Sequence, residues 1–225
     1  MKRAGHTKRA SWFVALGVLA AVSAIPALAD DSGPIQGYVA GGYTEPLGDA
    51  SDVLNGGWNI SGGAIWRPSP AKPFGIRFDL GFNTWDAKTS AIQNIPGNTG
   101  QALVDGGYVN MWTLTGDALW NFGNPDHVGG YIGLGIGGYR RYAALTNNVI
   151  VPGYICDPWW GYCYTAAVTG SQTVAHDTLT KLGYNAALGI TFGVGSGQLY
   201  LEARYHYVVN DPSNQFVPIL IGYRF

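Results

Sequence analysis

Cys156 and Cys163 are the two cysteines of the chain, close together in an aromatic-rich stretch. An even count at short spacing suits a disulfide that pinches a loop in an oxidising compartment. A metal centre does not fit: two thiolates with no histidine nearby fall short of the four ligands that a structural zinc takes. No metal and no cofactor is expected. Around the cysteines stand Tyr154, Pro158, Trp159, Trp160, Tyr162 and Tyr164. Exposed aromatic clusters mark contact surfaces, but such a cluster also suits a loop that folds back on its own rim. Both readings stay open at this point.

Acid–base and nucleophilic chemistry has little to work with. Beyond the N-terminal segment the histidines are His127, His176 and His206. Only His206 falls in a strongly patterned segment, with Asp211 and Ser213 following it. Gly133-Leu-Gly135-Ile-Gly137-Gly138 satisfies G-x-G-x-x-G literally, yet a dinucleotide site needs that motif between a strand and a helix. Here it lies inside an alternating run, where the glycines are expected to leave room for neighbours such as Tyr131 and Tyr139. The remaining titratable residues of interest are Arg77, Asp79, Asp117, Arg141, Glu202, Arg204 and Arg224. Apart from Arg141, which follows Arg140, each is a lone charge without a charged neighbour in the chain.

The elements that must place those charges have a period of two. From 74 to 85, Phe74, Ile76, Phe78, Leu80 and Phe82 share a face, opposite Gly75, Arg77, Asp79, Gly81 and Asn83. Helical spacing would scatter both sets, so this is a strand. The same split predicts strands over 108–122, 128–142, 180–194, 198–209 and 216–225, with weaker ones over 35–43 and 57–67. Of seven connections, 68–73, 123–127 and 195–197 are tight and carry Pro, Asn-Pro and Gly-Ser-Gly turn signals. They alternate with the segments 44–56, 86–107, 143–178 and 210–215, which mostly run longer.

The N-terminus sets the compartment. Lys2, Arg3, Lys8 and Arg9 precede an uncharged apolar run from Trp12 to Ile25, and Ala27-Leu28-Ala29 is a small-x-small cleavage pattern. That run is too short for a spanning helix, so residues 1–29 are expected to be a cleaved signal peptide and 30–225 the mature domain. Removal takes four of the 13 basic residues and none of the 14 acidic ones, leaving the mature chain at −5. No basic patch survives, which argues against a nucleic-acid partner. Charged residues are 12% of the chain, with 34 Gly, 14 Tyr and 8 Trp. Few charges, many glycines and aromatics, and no later long apolar run fit a barrel in which only every second residue meets lipid.

The expected fold is all-β: an eight-stranded antiparallel up-and-down transmembrane β-barrel. Alternating short turns and longer loops put both chain ends on the periplasmic side. A soluble barrel would turn its apolar faces inward. Here the polar faces hold too few charges for a water-facing surface. The apolar faces instead carry Trp58, Trp66, Phe74, Trp120, Phe122, Tyr207, Tyr223 and Phe225 near strand ends, as in the two aromatic girdles of membrane barrels. All seven charges then point into a lumen only just wide enough for side chains. Buried charges must pair, so Arg77, Asp79, Asp117, Glu202 and Arg204 are expected to form an ion-pair network that plugs the lumen against diffusion.

The final strand, Phe216-Val-Pro-Ile-Leu-Ile-Gly-Tyr-Arg-Phe225, resembles the C-terminal signature of outer-membrane proteins, matched at Val217, Ile219, Ile221, Tyr223 and Phe225. The mature chain resembles the OmpA/OmpX-type small eight-stranded outer-membrane barrels over nearly all of 34–225. The likeness implies insertion by the barrel-assembly machinery, contact with outer-membrane lipid and lipopolysaccharide, and a Gram-negative outer-membrane location. No periplasmic anchoring domain is expected after Phe225. Such barrels include adhesins, structural anchors and a few lipid-modifying enzymes, so the fold alone implies little about activity. The leading expectation is a non-enzymatic barrel whose loops serve adhesion to an extracellular ligand or host surface, or envelope integrity. A lipid A deacylase is the alternative, but that family needs His-x-Ser-Asn, and this chain reads His206-Tyr207-Val208-Val209. A narrow channel is the third reading.

Overall fold

The computed structural model describes residues 34–69, 72–94, 104–123, 127–156, 163–211 and 213–225. Its strands are β1 (Ile35–Leu47), β2 (Gly57–Trp66), β3 (Phe74–Asp86), β4 (Gly106–Gly123), β5 (Val128–Cys156), β6 (Cys163–Val194), β7 (Gly197–Val208) and β8 (Asn214–Arg224). Each pairs antiparallel with its sequence neighbours, and β1 pairs with β8 to close an eight-stranded barrel. Closure leaves no free sheet edge in the ring. The register across the seam sets Tyr38 opposite Arg224 and Tyr43 opposite Ile219.

Side-chain parity sorts the two surfaces. Phe78, Leu80, Leu114, Leu134, Ile136, Leu182, Leu188, Leu201 and Ile221 are exposed on the outside. Arg77, Asp79, Thr113, Thr115, Asp117, Asn185, Glu202 and Arg204 are buried inside. This inverts a soluble barrel, and a surface so continuously apolar belongs in a bilayer. Two belts bound it. Towards the end carrying the termini lie Trp66, Phe74, Trp120 and Phe122. Towards the other end lie Trp58, Phe82 and Trp112, with ring centroids 5.5 Å apart for Trp58–Phe82 and 4.9 Å for Phe82–Trp112. From Phe74 to Phe82 the strand rises about 26 Å at ~3.3 Å per residue, enough with the usual tilt to span most of a thin apolar band.

Three features depart from expectation. First, β1 continues through Thr44-Glu45-Pro46 to Leu47, paired with β8 as far as Gln215. Pro46 is tolerated because it stands near the strand end, where a lost N–H costs little. Second, the connections 44–56 and 86–107 contain short helices, α1 (Asp49–Val53) and α2 (Thr89–Gln93). Third, 143–178 is no open loop. β5 and β6 run on as one hairpin, with Cys156 opposite Cys163 and a register shift between Leu145 and Thr146. Val149-Ile150 and the Thr- and Val-rich return strand favour extended backbone. The polarity alternation that marks a half-buried strand is absent there. Measured from Arg140 to Cys156 at ~3.3 Å per residue, the projection is about 50 Å long.

Glycines set the lumenal packing by register. Tyr131 lies opposite Gly189, Tyr200 opposite Gly222 and Tyr38 opposite Gly63. A Cβ on Gly189 would come within 2.3 Å of the Tyr131 ring, and one on Gly222 within 2.5 Å of Tyr200. Tyr139 leans over Gly183 in the same way. The room for Tyr131 and Tyr139 therefore comes from β6, not from Gly133, Gly135 and Gly137. Those three instead admit Leu119, Asp117 with Asn185, and Thr115. Parity cannot reveal this, because the residue that fills a gap sits on the neighbouring strand.

Candidate functional site

The lumen is filled in three layers. At its centre Arg77 on β3 donates from Nε to Asp117 at 2.7 Å and from Nη1 to Glu202 at 2.5 Å. Arg204 on β7 donates to Glu202 at 2.8 Å and pairs with Asp79 at 2.9 Å. All five residues come together, each at most 2% exposed. Three uncharged residues complete the set. Tyr131 donates to Glu202 at 2.6 Å, Asn185 to Asp117 at 2.9 Å, and Tyr38 to Asp79. Tyr131 and Asn185 were legible as inward-facing by parity, but not as partners of these carboxylates. Taking five charges out of water is costly, and only dense mutual pairing offsets it.

Aromatic layers seal the network from both sides. Towards the termini lie Tyr38, Ile65, Leu119, Tyr131, Tyr200 and Leu220. Towards the hairpin end lie Trp85, Met111, Tyr139, Val208 and Phe216. His206 belongs to this second layer, stacked on Phe216 with ring centroids 4.5 Å apart, its Nδ1 2.9 Å from the Tyr139 hydroxyl. Ser213 accepts from Gln215 at 3.2 Å, and His206 is buried in the lumen rather than presented to the lipid face. Arg224 is lumenal as expected. Arg141 is not part of the buried set: it sits at the mouth, 3.1 Å from Asp177, and both side chains are partly solvated. Its strand has left the membrane by that point, so parity no longer implies burial.

The hairpin end carries the accessible features. Cys163 is disulfide-bonded, and the backbone places Cys156 opposite it. Tyr154 and Tyr164 lie on the hairpin strands near these positions, while Trp159, Trp160 and Tyr162 fall outside the described residues. Near the base, Asp105 donates its amide to Thr146 O at 2.9 Å and accepts from the Asn148 amide at 3.1 Å. The two helical loops are tied together as well: the Lys88 amide donates to Val53 O at 2.8 Å and the Asn55 amide to Asp86 O at 2.9 Å. Between these loops and the hairpin opens an apolar cavity of about 390 Å³, walled by Val53, Leu54, Ala91, Tyr108, Val109 and Leu145, with His176 at its edge. Among the described residues no cluster of His, Cys, Asp and Glu could hold a metal ion. Among the described residues the charges at this end are mostly acidic: Glu45, Asp49, Asp52, Asp86, Asp105, Asp177 and Asp211, against Lys88, Arg140, Arg141 and Lys181.

No protein-family model and no curated sequence matches the chain. Solved structures do. Neisserial surface protein A is 12% identical, with 85% of this chain aligned to 96% of that one at a TM-score of 0.52. The attachment invasion locus protein of Yersinia pestis, solved with the heparin analogue sucrose octasulfate, is 13% identical over 86% of this chain and 100% of that one, at a TM-score of 0.45. The N-terminal β-barrel domain of Pseudomonas aeruginosa OprF is 11% identical over 85% and 98%, at 0.41. At such identities the likeness to the Neisserial protein is one of architecture, and it agrees with the topology traced above: this chain has the fold of the small eight-stranded outer-membrane β-barrels.

Proposed function

We propose that this chain is an integral protein of the Gram-negative outer membrane whose work is done by its projecting end, in surface interaction or adhesion and in envelope integrity, without catalysis. In this reading residues 1–29 are a cleaved leader, both ends of the barrel chain are periplasmic, and the β5–β6 hairpin stands outside the cell. Val217, Ile219, Ile221, Tyr223 and Phe225 serve recognition by the barrel-assembly machinery. Lipid and lipopolysaccharide are the surroundings of the apolar belt.

The observation that carries the reading is the contrast between the two parts of the barrel. The lumen is spent on packing, with charges paired and capped by aromatic layers. The hairpin does nothing for that packing, yet it extends β5 and β6 far beyond the apolar band. A long projection costs backbone entropy and is exposed to proteases, so its retention points to use. A disulfide across Cys156 and Cys163 would hold its tip. The acidic balance of this end favours a neutral or basic partner over a polyanionic one.

The test compares a deletion of 146–176 with wild type in cell-binding and membrane-integrity assays. The deletion is expected to insert normally, because the barrel register below Arg140 is untouched, and to lose binding or envelope resistance. Unchanged behaviour in both assays would remove the support for a hairpin-borne function.

A further inference from the structure

The apolar cavity between the helical loops and the hairpin has a smaller neighbour. The larger space, of about 390 Å³, is walled by Ala91, Tyr108 and Leu145 together with Val53, Leu54 and Val109. The smaller, of about 110 Å³, is walled by Trp85, Met111 and Phe216 of the hairpin-end aromatic layer and by Arg141. Val53, Leu54 and Val109 wall both, so the two adjoin. The larger lies within the ~300–1,000 Å³ range of small-molecule pockets, which are mostly apolar with a few placed polar groups.

Backbone bonds hold this space in shape. Leu54 bridges to Ala87. The Ala87 amide donates to Gly107 O at 2.8 Å, and the Lys88 amide to Val53 O at 2.8 Å. The loop of α1, the end of β3 and the start of β4 thus form one frame, and Leu145 on β5 adds the hairpin side. From Trp112 in the aromatic belt to Tyr108 the strand rises about 13 Å at ~3.3 Å per residue. The cavity therefore stands clear of the apolar band. Acyl chains anchored in a bilayer are not placed to fill it, so its occupant comes from water.

The smaller space supplies donors that want an acceptor. Trp85 is 3% exposed. Its Nε1 and the Nε of Arg141 are both buried without a hydrogen-bond partner among the described residues. Buried donors left unpaired are costly. Arg141 Nη2 already pairs with Asp177 at 3.1 Å. Asp177 stands on the wall of the larger space, so this ion pair spans the two. Its carboxylate balances the guanidinium at an end already rich in acid, so the complementary group is a neutral oxygen and not a second anion. We propose that the double cavity binds a neutral, water-borne amphiphile. One alkyl chain fills the larger space, and a carbonyl or hydroxyl oxygen in the smaller one accepts from Trp85 and Arg141. This ligand site is separate from any adhesion by the hairpin, and it is read whichever side of the membrane it faces.

The test titrates decanoylglycerol into the mature chain in phosphatidylcholine nanodiscs. NMR follows the Leu145 methyls for the chain, the Trp85 indole N–H for the head, and the lipid-facing Leu114 methyls as a reference for partition into the disc. Leu145 and Trp85 are expected to shift together and saturably, while Leu114 drifts without saturating. Ala91→Phe, which fills the larger space from a loop helix outside the barrel ring, should abolish both shifts. Trp85→Phe keeps an aromatic ring and removes the donor. It should weaken binding about fivefold, as loss of one hydrogen bond implies. Decanoate, with the same chain and an anionic head, should bind more weakly. A Leu145 response that merely follows Leu114, shifts that survive Ala91→Phe, or tighter binding of decanoate would each overturn the proposal. A Leu145 shift with Trp85 unmoved would overturn it too, and would fit a space filled by an apolar side chain of a partner protein. None of these results touches the adhesion reading, which the deletion of 146–176 tests by itself.

Discussion

Arg77 and Glu202 are 125 positions apart in the chain and 2.5 Å apart in the lumen. Glu202 is also held by Arg204 and Tyr131, so it joins β3, β5 and β7 through one carboxylate. Removing one partner leaves an uncompensated charge among buried groups. Arg77→Met is expected to cost about 3–5 kcal/mol, read as a lower urea midpoint for the barrel folded in detergent. Asp177→Asn, which breaks the solvated Arg141–Asp177 pair, should stay within about 0.5 kcal/mol. Equal effects at the two sites would show that burial does not govern these pairs.

Gly189→Ala should destabilise the barrel by about 1–3 kcal/mol, the usual cost of overpacking. Its new methyl would meet the Tyr131 ring, whereas a Cβ on Gly138 meets nothing within 4 Å. Gly138→Ala is therefore the control and should lie within about 0.5 kcal/mol of wild type. In a Tyr131→Ala background the Gly189→Ala penalty should largely vanish, a coupling that a double-mutant cycle reads directly.

Conductance is the third check. Aromatic layers lie on both sides of the central ion pairs, and a lumen packed in that way carries no wide water column. Planar-bilayer recordings of the wild type should show no large, stable steps. A steady large conductance would contradict the filled lumen.

Reduction should act locally. If Cys156 and Cys163 are joined, dithiothreitol releases a short loop whose closure is worth roughly 2–3 kcal/mol in the chain-entropy account. Proteolysis within 143–178 should then accelerate, while the barrel keeps its protection and its unfolding midpoint. A midpoint that falls on reduction would mean that the hairpin and barrel unfold as one unit.

Much of this was legible beforehand for a local reason. In β3, β4, β6, β7 and β8 one face meets lipid and the other the lumen, so polarity flips at every residue and the strand declares itself. Where that contrast ends, the pattern ends. Beyond Arg140 that contrast is lost, and 143–178 looked like a loop although its residues favour strand. Arg141 keeps its lumenal parity, opposite Met111, but stands at the open mouth, where facing inward no longer means burial. The five charged residues of the central network were legible because a lone charge in an apolar alternation has one acceptable side. Their hydrogen-bonding company, Tyr38, Tyr131 and Asn185, was not legible as such, since neutral polar residues on that face are common and give no sign of pairing.

The sequence by itself determined the strands that cross the apolar band and their two faces, because period-two polarity is a property of neighbours along the chain. Only the tertiary structure decided which buried groups meet. Closure of β1 on β8 and the register of each pair brought Glu202 to Arg77 and Gly189 to Tyr131. The same closure laid the Arg224 guanidinium over the Tyr131 and Tyr200 rings. Those meetings depend on shear and tilt around the whole ring, to which all eight strands contribute and which no single segment encodes.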